Sequence, residues 1–143
     1  MRIILLAGLL LVVTHAFGQG LILPSGVSAK APLETIAQTA RVFSGKWEGL
    51  WDGRMPHVLL VEEVKSGAEA TVLYAWQEPV IENAWGAGWY RTAASIDGNT
   101  LRVPLRNGTR AWYEFLPDGT LKASYQRANS SSQSQAVMRK VEP

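Results

Sequence analysis

His57 is the side chain of this sequence that comes closest to a catalytic or metal-binding residue. Asp52 precedes it, and Glu62 and Glu63 follow it. Imidazole and carboxylate groups act together in acid–base catalysis and as metal ligands, but only where several of them converge. One histidine without a nucleophile motif indicates neither activity, and a haem iron would depend on His57 as its axial ligand. We therefore predict no catalytic residue, no metal site and no cofactor, and an enzyme ranks last among the functions considered.

Aromatic side chains are the second group that could form a site, with six tryptophans and four tyrosines in the chain. Cavities for small ligands are lined mainly by apolar and aromatic groups with a few polar atoms. Trp85 and Trp89 flank a glycine-rich segment in the longest predicted loop, where the mouth of a cavity would lie. The alternative is that the aromatic residues fill the core and rim of a small domain. The candidate ligand-binding residues are Tyr74, Trp76, Trp85, Trp89 and Tyr113.

The composition limits the classes of partner and chemistry. The chain has 143 residues with 14 basic and 12 acidic side chains, and a net charge of +2 is too weak to indicate nucleic-acid binding. Arg102, Arg106 and Arg110 surround one turn, which indicates a solvated hairpin end, with a phosphate site as the less favoured alternative. The chain has no cysteine, which excludes disulfides, thiol nucleophiles and thiolate metal sites.

Short segments rich in aromatic and β-branched residues alternate with turn signals from residue 43 onward. The pattern predicts eight strands, at residues 46–52, 58–64, 70–76, 89–96, 100–105, 110–115, 120–127 and 135–141. Asp52-Gly53 and Asn107-Gly108 supply the positive φ angles of tight hairpin turns. Closure of this antiparallel meander removes its two open edges. The predicted fold class is therefore an all-β, up-and-down antiparallel barrel of about eight strands with a short N-terminal helix.

The alternation of side chains indicates which faces of the strands point into the barrel. Leu121, Ala123 and Tyr125 share one face of the seventh strand, and its other face is polar. The third strand is apolar on both faces, so one of them must be covered from outside. A short helix predicted at residues 32–41, after a flexible leader at residues 19–31, is the candidate to cover it.

The first strand opens with Gly45-Lys46-Trp47, directly after this helical segment. The arrangement resembles the lipocalin and calycin superfamily of small β-barrels, in which a G-x-W motif starts the barrel. In size the chain is nearer to the compact barrels, which include avidin-like and nitrobindin-like proteins and periplasmic inhibitors of metalloproteases. The resemblance implies that a basic residue of the last strand packs across Trp47.

Arg139 is the residue that we assign to this role, because it shares a face of the last strand with Val137 and Val141. We predict that this face points inward and that Lys140 points outward. A guanidinium group stacks well on an indole face and can also bind nearby carbonyl groups. The predicted structural signature consists of Gly45, Trp47 and Arg139.

The N-terminus has the three parts of a secretory signal. Arg2 supplies a positive charge, residues 3–13 form an apolar run, and Ala16 and Gly18 place small residues two apart. The run is shorter than the roughly 20 residues that span a membrane. We expect cleavage after Gly18 or Ala16 and a secreted or periplasmic protein with no membrane span in its mature form. The predicted organisation is a signal peptide at residues 1–18, a leader with a short helix at 19–42 and the barrel at 43–143.

The function expected first is non-enzymatic binding of a small apolar or amphipathic ligand, admitted at the end of the barrel near residues 77–89. The alternative is a protein-interaction module, such as a barrel similar to a periplasmic protease inhibitor. Its partner would be a periplasmic or extracellular protein that contacts residues 79–88 or the leader. A binding barrel should have a continuous interior cavity lined by the inward residues, whereas a filled interior counts against ligand binding and puts the interaction module first.

Overall fold

A computed structural model describes residues 23–77 and 87–141 of the protein. Each strand pairs antiparallel with the next, and the last strand pairs with the first, so the sheet closes into an eight-stranded barrel. This confirms the predicted fold class. The helix is α1 (Gln38–Arg41), and the strands are β1 (Gly45–Trp51), β2 (Met55–Val64), β3 (Glu69–Gln77), β4 (Ala87–Asp97), β5 (Thr100–Pro104), β6 (Arg110–Phe115), β7 (Leu121–Gln126) and β8 (Gln133–Val141).

The hairpin turns form where the sequence predicts them. Asp52 and Gly53 have φ angles of 51° and 70°, and Asn107 and Gly108 have φ angles of 59° and 74°. Aspartate, asparagine and glycine tolerate this left-handed region better than other residues. Because the first turn is so tight, β2 begins at Met55 rather than at residue 58, and this brings His57 into a strand.

The end of the barrel near α1 is closed by aromatic packing. Phe43 and Trp47 each meet the ring of Phe115 edge-on, at centroid distances of 6.3 and 6.4 Å. The Trp47 indole donates a hydrogen bond to the Phe43 carbonyl at 2.9 Å. Ala40 of α1 is fully buried against the same core. We call this the closed end.

The predicted helix at residues 32–41 is wrong in its length, since α1 covers only the last turn of that range. Ala37 precedes α1 with an extended backbone, at φ −54° and ψ 138°, and offers no side-chain cap for the first N–H groups. Leu33, an apolar residue of the predicted helix, is 66% exposed. Proline and apolar spacing alone therefore do not extend the helix, which begins at Gln38 without a side-chain cap.

The outer face of β2 and β3 is covered by the leader and not by α1. Leu23 and Val27 pack on an apolar patch formed by four outward-facing side chains, all at most 4% exposed: Val58, Leu60, Leu73 and Ala75. The Lys30 amide donates to the Glu62 carbonyl at 2.7 Å. The β2–β3 register shifts between Val61 and Glu63, so a bulge at Glu62 coincides with this leader contact.

The prediction that Arg139 points inward is wrong. Arg139 is exposed, and its neighbours on that face include Val137, which is 55% exposed. Lys140 is also exposed, but it lies on the inner face of β8 with buried Ala136 and Met138, and its Nζ lies 5.5 Å from the centroid of the Trp47 ring. Val137 and Val141 made the Arg139 face of β8 the more apolar one in the sequence. Lys140 lies on the inner face all the same, because a lysine can lay its long apolar stem across a core residue.

Gly45 makes room for this lysine. A Cβ atom at position 45 would lie 2.8 Å from Lys140 Cε, and the φ angle of Gly45 is 111°. The backbone conformation therefore requires glycine, whereas the contact is with the flexible end of the Lys140 side chain, which can shift. The basic residue that the resemblance implies is present across Trp47, one position later in the chain than predicted.

Candidate functional site

The end of the barrel opposite α1 is the candidate site, and we call it the mouth. It is formed where β1, β3, β5 and β7 end and where β2, β4, β6 and β8 begin. Residues 78–86, which connect β3 to β4 at this end, lie outside the described residues. Partly buried apolar side chains surround the mouth and pack on the core beneath it: Met55, Trp76, Leu105 and Tyr125.

His57 lies in the barrel just below the mouth and is 1% exposed. Its Nδ1 lies 2.7 Å from the Ala75 carbonyl oxygen, and its Nε2 lies 2.7 Å from the Tyr113 hydroxyl. A carbonyl only accepts, so Nδ1 carries the proton. In the neutral ring Nε2 then accepts, and the Tyr113 hydroxyl donates to it. Both ring nitrogens are therefore satisfied within the protein.

Aromatic rings surround this histidine. The His57 ring stacks on Trp51 at a centroid distance of 4.9 Å and contacts Tyr74 at 4.3 Å and Tyr113 at 5.9 Å. Two further pairs extend the packing toward the mouth, Trp51 with Tyr125 at 5.8 Å and Tyr74 with Trp76 at 6.0 Å. We call these six residues the aromatic cluster: Trp51, His57, Tyr74, Trp76, Tyr113 and Tyr125.

Burial keeps His57, Tyr74 and Tyr113 of the cluster neutral. Desolvation lowers the pKa of His57 from 6.5 to about 4, although the hydrogen bond to Ala75 opposes this change. Burial raises the pKa of Tyr74 and of Tyr113 well above the usual value for a phenol. At neutral pH the cluster therefore offers hydrogen-bond donors and π faces but no charge.

The carboxylates near His57 in sequence do not converge on it in the fold. Glu62 forms a two-pronged ion pair with Arg91 at 2.8 and 2.9 Å on the outer wall, and Asp52 accepts a hydrogen bond from the Gln135 amide. Glu63 lies 3.5 Å from the Lys30 ammonium group. Within residues 23–77 and 87–141, no three potential metal ligands come together.

Trp51 carries a buried polar atom without a hydrogen bond in the described part of the chain. The side chain is 2% exposed, and its Nε1–H has no acceptor of suitable geometry. The Trp51 indole lies close to the Tyr74 hydroxyl and opposes part of the rise in the pKa of Tyr74. The two groups nevertheless do not form a hydrogen bond of suitable geometry. A buried donor that lacks an acceptor costs about 1–3 kcal/mol, so it is a rare feature of a folded core.

The structure describes four of the five predicted ligand-binding residues, and it places three of them in the aromatic cluster and one on the outer wall. Tyr74, Trp76 and Tyr113 belong to the aromatic cluster, and Trp85 lies outside the described residues. Trp89 lies on the outer wall and is 45% exposed, because it pairs with Ala75, whose side chain also points outward. The structure therefore does not bring Trp89 together with the other predicted residues.

Three members of the aromatic cluster were not among the predicted site residues: Trp51, His57 and Tyr125. Trp51 and Tyr125 each share a face of their strand with core residues, and this alternation was the available signal. His57 becomes visible only when β2 is extended back to Met55. Its partner Tyr113 lies 56 residues away, and no local pattern connects the two.

The barrel below the aromatic cluster is filled with side chains. Aliphatic residues from several strands occupy it with no exposed surface: Leu59, Val61, Val72, Leu101 and Leu121. A ligand entering the barrel therefore has to rest on the aromatic cluster. The filled core excludes a deep pocket at the level of these residues. This counts against a ligand held inside the barrel and favours the protein-interaction module, so a small ligand is left only the mouth.

The outer wall carries a concave surface, which we call the seam groove. It has a volume of about 750 Å³ and crosses β1, β8 and β7. Leu50, Leu116, Val137 and Val141 give it an apolar lining, and Val137 is 55% exposed. The polar residues on its rim include Glu48, Lys122 and Arg139.

No protein-family model and no curated protein matches this chain. The described helix is far too short to cross a membrane.

Proposed function

We propose that this protein is an exported, non-enzymatic, lipocalin-like barrel that binds a small apolar or amphipathic molecule at its mouth. The half-buried side chains around the mouth offer an apolar entrance, and the aromatic cluster offers a floor. The G-x-W segment, with Lys140 across Trp47, supports the relation to lipocalins. The signal-like N-terminus supports export.

The buried Nε1–H of Trp51 is the single observation that carries this proposal. Trp51 ends β1 at the mouth, and its buried Nε1–H has no acceptor of suitable geometry among the described residues. A ligand with a carbonyl, carboxylate or hydroxyl oxygen would supply the acceptor that the described residues do not. Binding would then recover part of the free energy that folding lost by burying this group.

A tryptophan fluorescence titration tests the proposal. Fatty acids, retinoids and haem form the ligand panel, and we expect at least one oxygen-bearing ligand to change the tryptophan emission until the site is saturated.

Trp51→Phe keeps an aromatic ring but removes the donor, so it should weaken binding about three- to tenfold. Trp112→Phe is the matched control, because Trp112 lies on the outer wall beside Arg110 and should leave the affinity unchanged. Equal affinities in the two variants would refute the role of Trp51, and no response to any ligand would refute the proposed function.

The seam groove favours a second candidate function, binding of an apolar segment of a periplasmic or extracellular protein. Val137 is its most exposed apolar residue, and exposed apolar patches commonly mark interaction sites. A photo-crosslinker at position 137 should capture one discrete partner, whereas the same group at exposed Ser95 should not. Identical products from both positions would contradict this candidate.

A further inference from the structure

Trp112 is an aromatic residue of the outer wall that the proposed function does not use. It lies in the middle of β6 and is half-buried. The residues around it on this face are polar, since Arg110 and Glu114 lie two positions away along the strand and Arg102 lies opposite on β5. The position of this large indole is therefore not explained by an apolar patch on the same face.

The burial of Ser124 shows how the indole lies on the wall. Ser124 is the cross-strand partner of Trp112 on β7 and faces outward, yet it is only 4% exposed. Its other cross-strand neighbour on this face is Gln135, whose Nε2 lies 3.5 Å from the Ser124 hydroxyl. These two neighbours cover the serine between them. An indole laid across a neighbouring strand in this way turns one ring face to the wall and the other toward solvent.

A polar hollow continues the wall beside Trp112. It has a volume of about 590 Å³ and lies between the turn that follows β5 and the loop between β7 and β8. No carboxylate lines it in the part of the chain that the structure describes, and its polar lining residues are Arg110, Gln126, Arg127, Asn129, Ser130 and Ser131. The polar hollow therefore offers amide, hydroxyl and guanidinium groups.

A chain of hydrogen bonds holds the planar groups of the polar hollow in place. The Arg110 guanidinium donates to Gln126 Oε1 at 3.0 Å, and Gln126 Nε2 donates to the Ser130 carbonyl oxygen at 2.7 Å. The Arg110 Cζ lies 5.8 Å from the centroid of the Trp112 ring, so the guanidinium flanks the ring and does not contact its centre closely. Side chains that are already fixed lose little conformational freedom when a ligand binds.

Sugar rings match this combination of a ring face and fixed polar groups. The C–H face of a pyranose ring is apolar and weakly positive, and the face of an indole ring is negative, so the two pack on each other. The hydroxyl and acetamido groups at the edge of the sugar need hydrogen-bonding partners, which amide, hydroxyl and guanidinium side chains supply. An apolar peptide segment would instead bury the polar groups of the hollow without partners.

Trp89 on the opposite wall shows that a tryptophan beside an arginine is not enough. The Arg91 Cζ also lies 5.8 Å from the centroid of the Trp89 ring. Arg91, however, is engaged in the two-pronged ion pair with Glu62. The cross-strand neighbour of Trp89 is Ala75, which belongs to the apolar patch under the leader. The polar hollow is the feature that distinguishes Trp112.

We propose that Trp112 and the polar hollow form a binding site for a glycan. One sugar ring stacks on the Trp112 indole, and the polar groups at the edge of the ring bind in the hollow. Arg110 and Arg127 repel a positively charged sugar, so the glycan consists of sugars without free amines, such as N-acetylated hexosamines. The site lies on the outer wall and goes beyond the ligand site proposed at the mouth.

Two hexasaccharides with the same backbone test the proposal. Chitohexaose carries acetylated amines, and the hexamer of glucosamine carries free amines that are protonated at mildly acidic pH. Titration calorimetry of the mature protein should show that chitohexaose binds about fivefold more tightly than the charged hexamer. Arg110→Gln should reduce this preference, and because Arg110 is exposed, the thermal unfolding of this variant should match that of the unmodified protein.

Substitution of the two outer-wall tryptophans tests the stacking. Trp112→Leu keeps an apolar side chain over Ser124 but removes the aromatic face, so it should weaken chitohexaose binding about three- to tenfold. Trp89→Leu is the matched control and should leave the affinity unchanged. Trp51→Phe should also bind chitohexaose normally, because Trp51 lies inside the barrel at the mouth.

The outcomes separate the glycan site from the ligand site at the mouth. Binding of neither hexasaccharide would overturn the glycan site and leave the mouth unaffected. Equal losses in Trp112→Leu and Trp89→Leu would overturn the assignment to Trp112. A tighter complex with the charged hexamer, or a preference that survives in full in Arg110→Gln, would overturn the role of the arginines.

Discussion

His57 and Tyr113 form a neutral hydrogen-bonded pair in the centre of the barrel. The imidazole has both nitrogens engaged, one with the Ala75 carbonyl and one with the Tyr113 hydroxyl. A histidine held in this way is poorly placed to move protons or to bind a metal ion, because each change would break a buried hydrogen bond. It fixes the positions of the rings that form the floor of the mouth.

Removal of the Tyr113 hydroxyl should destabilise the protein. Tyr113→Phe keeps the ring but leaves His57 Nε2 as a buried acceptor without a donor. We expect the free energy of unfolding to fall by about 1–2 kcal/mol, measured by urea denaturation at neutral pH. Tyr90→Phe is the comparison, since Tyr90 is half-buried at the wall of the mouth. If the two variants lose the same stability, the His57–Tyr113 hydrogen bond contributes nothing specific.

Individual site residues were only partly predictable from the sequence. Tyr74, Trp76 and Tyr113 follow from alternation, since each shares a strand face with core residues. His57 was considered only as a catalytic or metal-binding group, because the sequence shows its acidic neighbours and not Tyr113. Contacts between residues that are distant in sequence depend on the closure of the whole barrel, and no local pattern encodes them.

At the scale of elements, the leader completes the barrel wall. It covers outward-facing aliphatic residues of β2 and β3 that would otherwise be exposed to solvent. The sequence indicated that this face needed a cover, but the short predicted helix was the wrong choice. Leader residues Leu23 and Val27 form no regular element, so periodicity could not identify them.

A charge placed under the leader should release it. Val27→Asp puts a carboxylate against the apolar patch, and we expect a loss of about 1–2 kcal/mol in the free energy of unfolding. Limited proteolysis should cut the leader of this variant faster while the barrel stays intact. Ser28→Asp is the control, because Ser28 is exposed. Equal proteolysis of both variants and the unmodified protein would show that Val27 does not hold the leader.

At the scale of the whole molecule, the strand order and closure were predictable because turn chemistry and alternation agree along most of the chain. The positive φ angles at Asp52-Gly53 and Asn107-Gly108 define two of the hairpins. The face of β8 was predicted wrongly, because Val137 and Arg139 formed as regular an alternation as Ala136, Met138 and Lys140. Only packing against Gly45 and Trp47 decides between the two faces.

The buried histidine gives the folded state a specific dependence on pH. Its pKa is about 4 in the folded protein and near 6.5 when unfolded, so the unfolded chain binds a proton first as the pH falls. Stability from this group is complete above pH 6.5 and is lost progressively toward pH 4. Between pH 7 and pH 5 the loss should be about 2 kcal/mol by denaturant titration. His57→Gln should lack this component, and an unchanged pH dependence in that variant would assign the effect to other groups.

The central claim is that a ligand binds at the mouth and accepts a hydrogen bond from Trp51 Nε1–H, which has no acceptor among the residues that the structure describes. Nuclear magnetic resonance of the indole N–H groups tests this claim most directly. The six tryptophans give six indole signals, which single substitutions to phenylalanine assign. Saturation with a ligand from the fluorescence panel should shift the Trp51 signal downfield and leave that of Trp112 unchanged. A bound ligand that leaves the Trp51 signal in place would contradict the account.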